Sequence, residues 1–206
     1  MSTTLESIAR AVPDRQPAWG IALLYPDQGS WSEDEYLNLS SNQLVEFTDG
    51  SVEVLPMPTQ YHQMLVASLF NVLNALVAAR NLGQVLFAPL PVKVAAGKFR
   101  EPDIVFKRRE QLPANPKTAK FWEGADLVVE VMSEGAENRE RDLVTKRAVY
   151  AAAGIEEYWI VDPEQSEITV LTLQDAEYTT LGVFKAGDVL TSRLLPELNL
   201  SINAIF

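Results

Sequence analysis

Residues 127–134 read LVVEVMSE, and the reading of this run decides the fold. A short span dense in Val and Leu has the composition of a strand buried on both faces of a sheet. Glu130 interrupts it at the centre. An unpaired carboxylate there costs several kcal/mol, on the order of the transfer penalty for a buried charge, so something must compensate it.

Working outward, EPDIVF (101–106) and QVLFAPLPVKV (84–94) read as short strands, and a Pro- and Lys-rich loop runs from Lys107 to about Glu123. Downstream, ENRERDLVTKRAVYAAAG reads as a helix closed by Gly154. EYWIVDPEQSEITVLTL then gives a strand, a turn at Asp162-Pro163 and a second strand. Upstream, TQYHQMLVASLFNVLNALVAARNLG begins at a Thr59 N-cap. It sets His62, Leu65, Leu69, Val72, Leu73 and Leu76 along one helical stripe, with Gly83 expected as its stop. Asp49-Gly50 between the alternating arms of LVEFTDGSVEVLP signals a hairpin. Ser32 and Glu35, three apart, form a capping box for a short helix ending near Leu39. These elements predict a mixed α/β fold. The expected organisation is an N-terminal arm over residues 1–30, in which Trp19, Leu23, Leu24 and Tyr25 offer packing surface, and a single domain over 31–206.

A chain of 206 residues suffices for one well-formed core. It has no cysteine, which removes disulfides, thiolate metal sites and a Cys nucleophile, and fits a reducing, cytoplasmic compartment. A single His excludes multi-histidine zinc chemistry. No run approaches the ~20 apolar residues of a membrane helix, so no membrane partner is expected. The net charge of −11 argues at face value against a polyanionic partner. However, residues 93–147 hold 12 of the 17 Lys and Arg against 10 of the 28 acids, leaving that segment at +2 and the remainder at −13. Basic residues therefore concentrate around the Glu130 strand.

Four polar residues fall where the pattern predicts burial or its edge: Asp103 after Pro102, Glu130, Lys146 beside the stripe Leu143, Val149, Tyr150, and Glu46 in the hairpin arm. Two carboxylates on neighbouring strands offer hard oxygen ligands of the kind Mg²⁺ prefers, and a nearby lysine offsets charge on a phosphate or orients water. Each residue also has a plainer reading. Glu130 pairs with an Arg or Lys; Asp103 caps a backbone N–H after the proline; Asp142 and Lys146 form a helix ion pair worth about 0.3–0.5 kcal/mol. Glu46 is then the polar face of a hairpin, and His62 a hydrogen-bonded core residue.

The ordered motifs EFTDG, PTQYH, REPDIVF, DLVVEVMS and RDLVTKRAVYAAAGIEEYWIVDP resemble the Uma family of restriction-endonuclease-like proteins, within the PD-(D/E)XK nuclease superfamily. The likeness runs from about Trp31 to Phe206. It implies a restriction-endonuclease-like mixed central sheet flanked by helices, with the N-terminal hairpin as an extension. It also implies that Asp103 is the PD aspartate, that Glu130 is the acid of the (D/E)XK element, and that both bind Mg²⁺ or Mn²⁺. The superfamily lysine position, two residues past that acid, holds Met132, and Lys146 matches the family's replacement lysine. Glu46 and His62 are implied to line the same cleft.

Two functions from different classes follow. The first is a Mg²⁺-dependent endonuclease hydrolysing phosphodiester bonds of nucleic acid, DNA before RNA. The second is a nuclease-fold module that binds nucleic acid or protein without turnover. A third reading gives the acidic outer segments a basic partner. By analogy with restriction enzymes a homodimer is possible, with YWIVD and the C-terminal strands supplying an edge.

Overall fold

The computed structural model describes residues 24–41, 43–133 and 141–206, with the side chains of residues 141 and 142 outside that description. The N-terminal arm expected over 1–30 therefore falls almost wholly outside the described residues. At its end, Tyr25 stacks on Trp31 with ring centroids 5.8 Å apart.

Local signals fix the first elements. Helix α1 (Glu33–Leu37) is closed by the reciprocal capping box: Glu35 N–H donates to Ser32 Oγ, and Ser32 N–H donates to Glu35 Oε2 at 2.8 Å. Strands β1 (Val45–Thr48) and β2 (Ser51–Val54) form the hairpin on Asp49-Gly50, both of which hold positive φ. Helix α2 (Gln60–Arg80) starts at the Thr59 cap, whose hydroxyl accepts from His62 N–H. Its stop is Asn81, left-handed at φ 57°, rather than Gly83. Gly83 instead opens β3 (Gly83–Phe87), where a Cβ would stand 2.0 Å from the Lys107 carbonyl oxygen.

The chain continues as β4 (Val92–Ala95), β5 (Lys98–Arg100), β6 (Ile104–Arg108), a 3₁₀ turn (Arg109–Gln111), β7 (Trp122–Glu123) and β8 (Leu127–Val131). The expected loop from Lys107 is thus interrupted twice, and Lys107 belongs to β6, where its buried ammonium donates to the carbonyls of Glu123 and Gly124. A π-helical turn (Arg141–Thr145) leads into α3 (Lys146–Ala152), while residues 137–140 of the expected helix lie outside the described residues. The wider π turn takes Leu143 off the α-helical stripe, and this residue, expected on the apolar face, is 40% exposed. Strands β9 (Glu157–Asp162), β10 (Glu167–Gln174), β11 (Glu177–Phe184), β12 (Val189–Leu190) and β13 (Leu200–Ser201) complete the fold, followed by a final 3₁₀ turn (Ile202–Ala204).

The strands form a six-stranded sheet ordered β11-β10-β9-β8-β6-β3, a five-stranded sheet ordered β2-β1-β5-β4-β7, and the pair β12-β13. Only β8 and β9 run parallel in the larger sheet, joined across α3 as the crossover such pairing requires. The LVVEVM strand is therefore central, as its composition demands. So is YWIVD: β9 is flanked by β8 and β10 and buried along its whole length, and the free edges of the sheet are β3 and β11. The expected dimer edge at YWIVD does not exist, because a strand already paired on both sides has no backbone groups to offer.

The six-stranded sheet is covered on both faces. Leu65, Leu69, Leu73 and Val77 of α2 pack on Ile104, Phe106, Val129 and Trp159, and Tyr150 and Ala151 of α3 pack on Val105, Val128 and Tyr158. Contrary to the sequence expectation, α2 is long and apolar enough by length and composition to cross a membrane, with a mean hydropathy of 1.4. Its apolar stripe is instead seated in the sheet core. The smaller sheet has its own core of Trp31, Tyr36, Val45, Phe47 and Phe99.

Gly83→Ala is expected to lose about 3 kcal/mol of unfolding free energy, since the added methyl meets backbone rather than a side chain that can turn away. Asn81→Gly, at a position already left-handed, should stay within about 0.5 kcal/mol of the parent. Parallel denaturant titrations check both; equal effects would refute this account of where the helix ends.

Candidate active site

Strand pairing brings the acids together. In β6 and β8, Ile104 lies opposite Val129, and continuing that antiparallel register by one residue sets Asp103 against Glu130. Opposed residues of such a pair share a face with Cβ atoms roughly 5 Å apart. Both carboxylates line one crevice of about 40 Å³, together with His62, Glu101, Ser133 and Lys146. The expectation that Asp103 and Glu130 face one cavity, with His62 of α2 at the same place, agrees with this geometry.

Each group is held by specific partners. Asp103 Oδ2 accepts from Val131 N–H at 2.7 Å and lies 3.3 Å from His62 Nε2. His62 Nε2 is also 3.0 Å from the Val131 carbonyl oxygen. Both neighbours are acceptors, so Nε2 carries the proton, and the buried Nδ1 has no hydrogen-bond partner among the described residues. Burial opposes the imidazolium, but Asp103, the Val131 carbonyl and Glu130 outweigh it and raise the His62 pKa above its ordinary value.

Glu130 Oε1 accepts from Tyr150 Oη–H at 2.6 Å, and Oε2 lies 2.8 Å from Lys146 Nζ. Tyr150 follows Lys146 by one helical turn, so α3 delivers both groups to the strand from one face. Burial, followed by the Glu130 charge, holds the Tyr150 phenol well above its ordinary pKa, so it remains a donor. Glu130 is therefore compensated by a lysine, and Lys146 reaches it from the following helix. Met132 itself is buried in the apolar core beneath α3. The alternative pairing of Lys146 with Asp142 rests on a side chain outside the described residues.

Glu46 closes the cluster from the hairpin. Its Oε2 lies 3.4 Å from Arg100 Nε, its Oε1 lies 3.9 Å from Lys146 Nζ, and Oε1 is buried without a hydrogen-bond partner among the described residues. The plainer readings thus hold in part: Asp103 does hold a backbone N–H, although across the strands, and His62 is hydrogen-bonded. They describe the same geometry.

Glu101 was missed in the sequence. It lines the crevice beside Pro102-Asp103, and its Oε2 accepts from Val45 N–H at 2.9 Å. Burial raises its pKa to about 7; the Val45 hydrogen bond opposes this, and the charge of Glu46 adds to it. The sequence held one signal for it, the hairpin pairing. The β1–β5 register sets Phe47 against Phe99, and two residues further on this becomes Val45 against Glu101. Among the described residues no three His, Asp or Glu side chains already converge as a metal-ligand set. The donor chemistry nonetheless suits a hard divalent cation, since two carboxylates and water are a sufficient set for Mg²⁺ and Glu46 Oε1 is a buried carboxylate oxygen without a hydrogen bond.

Glu101 binds its proton more tightly folded than unfolded. Its contribution to stability is therefore complete below about pH 4.5 and lost as pH rises through about 7. In EDTA, Glu101→Gln is expected to flatten a fall in stability on the order of 2–3 kcal/mol over that interval. An unchanged pH–stability curve would contradict the placement of this carboxyl. His62 acts in the same direction at higher pH, its contribution being lost above its ordinary pKa.

Comparison with known proteins bears on fold and kinship. The family model described as "Uma2: Putative restriction endonuclease" matches residues 33–203. No curated protein matches the sequence. The fold resembles the crystal structure of "a putative nuclease belonging to DUF820" from Anabaena variabilis, with a TM-score of 0.70 and 21% identity over 88% of this chain and 98% of that one. At that identity the structural likeness speaks for the fold, and the family model speaks for kinship. The chain belongs to the Uma2 family of restriction-endonuclease-like proteins.

Proposed function

We propose that the protein is a divalent-metal-dependent endonuclease that hydrolyses phosphodiester bonds in DNA. The observation that carries this reading is the convergence, from β6, β8, α2 and α3, of Asp103, Glu130, His62 and Lys146 on one buried crevice, with Lys146 Nζ 2.8 Å from Glu130 Oε2. A lone structural ion pair would not require an aspartate and a histidine beside it.

Asp103 and Glu130 are the residues that would hold Mg²⁺ or Mn²⁺. When bound, the cation supplies Lewis-acid polarisation of the phosphate and lowers the pKa of a water. The protein's own groups act around that point. Val131 N–H and His62 hold the Asp103 carboxylate at one orientation, and Tyr150 Oη–H does the same for Glu130. The Lys146 ammonium, buried and backed by Glu46, is placed to orient the attacking water or to neutralise charge growing on a phosphate oxygen. Glu46 in turn is anchored by Arg100. A crevice of about 40 Å³ admits an ion or phosphoryl oxygen with a little water.

A cleavage assay on plasmid and oligonucleotide DNA with Mg²⁺ or Mn²⁺ tests the reading. Asp103→Asn, Glu130→Gln and Lys146→Ala are each expected to lower the cleavage rate about 10²- to 10⁴-fold. Absence of cleavage by the parent protein in either metal would favour the alternative, a binding module without turnover.

The ion pair makes a separate prediction about stability. Removing one partner of a buried pair typically costs about 3–5 kcal/mol because the other charge is left uncompensated. Lys146→Met should approach that loss, and Lys146→Met with Glu130→Gln should recover most of it. Simple additivity of the two single losses in urea unfolding would mean that the pair is not coupled.

A further inference from the structure

A second cavity, a groove of about 240 Å³, opens beside the crevice and shares Asp103, Leu44, Pro56 and Pro58 with it. The crevice has no room for more than an ion or a phosphoryl oxygen and a little water, so the remainder of any nucleotide must lie outside it. The groove adjoins it along Asp103, Leu44, Pro56 and Pro58, whereas a further cavity shares only Glu101 with it.

The chemistry of the groove selects what it takes. Among the described residues that line it there is no Lys or Arg, and Asp103 adds negative charge, so a phosphate gains nothing there. A neutral, flat ring does. Phe87 is 51% exposed, yet its ring is braced edge-on against Phe70 with centroids 4.8 Å apart, which fixes it as an apolar platform. Met57, 66% exposed, adds a polarisable thioether, while Gln43, Gln63 and Ser41 bring amide and hydroxyl groups able to donate and accept at the edge of a base.

We infer that this groove receives the nucleobase adjoining the scissile phosphate, and that the preferred substrate is therefore DNA with an unpaired nucleotide at the cleavage point. The inference rests on the nuclease reading above. In an intact duplex the faces of each base are stacked and its edge is paired, so a base must leave the helix to reach Phe87. The net charge of −11 fits the same conclusion. Duplex tracking relies on many basic contacts to phosphates, whereas stacking of one unpaired base needs few.

The test uses a short DNA oligonucleotide carrying one 2-aminopurine, presented as a single strand, as a perfect duplex, and as a duplex with that base unpaired in a bulge. Binding is read by 2-aminopurine fluorescence in EDTA, and cleavage is read separately with Mg²⁺ or Mn²⁺. The single strand and the bulge are expected to bind about tenfold or more tighter than the duplex and to be cut beside the probe base. Phe87→Ala should weaken binding about tenfold and Phe87→Trp should retain it. Met57→Glu serves as a second variant, since its exposed position spares the fold. It should weaken binding, by placing a second carboxylate in the groove, at unchanged melting temperature. Equal binding and cutting of all three forms, indifferent to Phe87→Ala and Met57→Glu, would overturn the inference and leave the nuclease reading standing. Selective binding of the unpaired base with no cleavage would support the groove and overturn the nuclease reading. No binding and no cleavage would overturn both.

Discussion

Burial of the Glu130 carboxylate is the constraint on which the rest depends. It sits in the middle of the central sheet, 4% exposed, in a strand whose other residues are apolar. A charge in that position persists only if the surrounding elements bring partners to it. The β8–α3–β9 crossover does so, because the parallel pairing of β8 with β9 requires a helix over one face, and that helix carries Lys146 and Tyr150 one turn apart. Topology and electrostatics thus meet here: the crossover that the parallel pair requires also carries a counter-charge and a hydrogen-bond donor to the acid.

The site is also an assembly of two sheets. Asp103 and Glu130 come from the larger sheet, Glu46 from the hairpin of the smaller, and Glu101 from the segment that passes between them. Arg100 ties the hairpin inward by bonding the Phe47 carbonyl, Thr48 Oγ1 and the Glu46 carboxylate. Among the described residues, Glu46 and Glu130 both reach the Lys146 ammonium. Glu101 sits near neutrality because burial and the neighbouring Glu46 make a further negative charge costly. Acids held in place in this way suit a hard cation.

What the sequence disclosed was what local pattern encodes. The Val-rich run named the central strand, Asp49-Gly50 the hairpin, Ser32 with Glu35 the capping box, and Thr59 the start of the long helix. Asp103, Glu130, Lys146 and His62 were legible because each is polar where periodicity predicts burial, and their order resembled a family. Features set by distant contacts were not legible. Gly83 read as a helix stop, but its lack of a side chain answers the close approach of the Lys107 carbonyl across the sheet. Leu143 read as core, yet a π turn moves it off the stripe. YWIVD read as an edge, although its neighbours on both sides come from segments before and after it. Glu101 drew no notice in the sequence, because only the pairing of β1 with β5 brings the Val45 N–H to its carboxylate.

The central claim is that Asp103 and Glu130, opposed across two strands, form one cation site. Titration of the metal-free protein with Mn²⁺, followed by the loss of the free-ion electron paramagnetic resonance signal, tests this without reference to turnover. The account predicts saturable binding that is abolished or strongly weakened in Asp103→Asn and in Glu130→Gln, and kept in Glu35→Gln, whose carboxylate belongs to a helix cap away from the crevice. Saturable binding indifferent to both site variants, or no saturable binding in a folded protein, would contradict it.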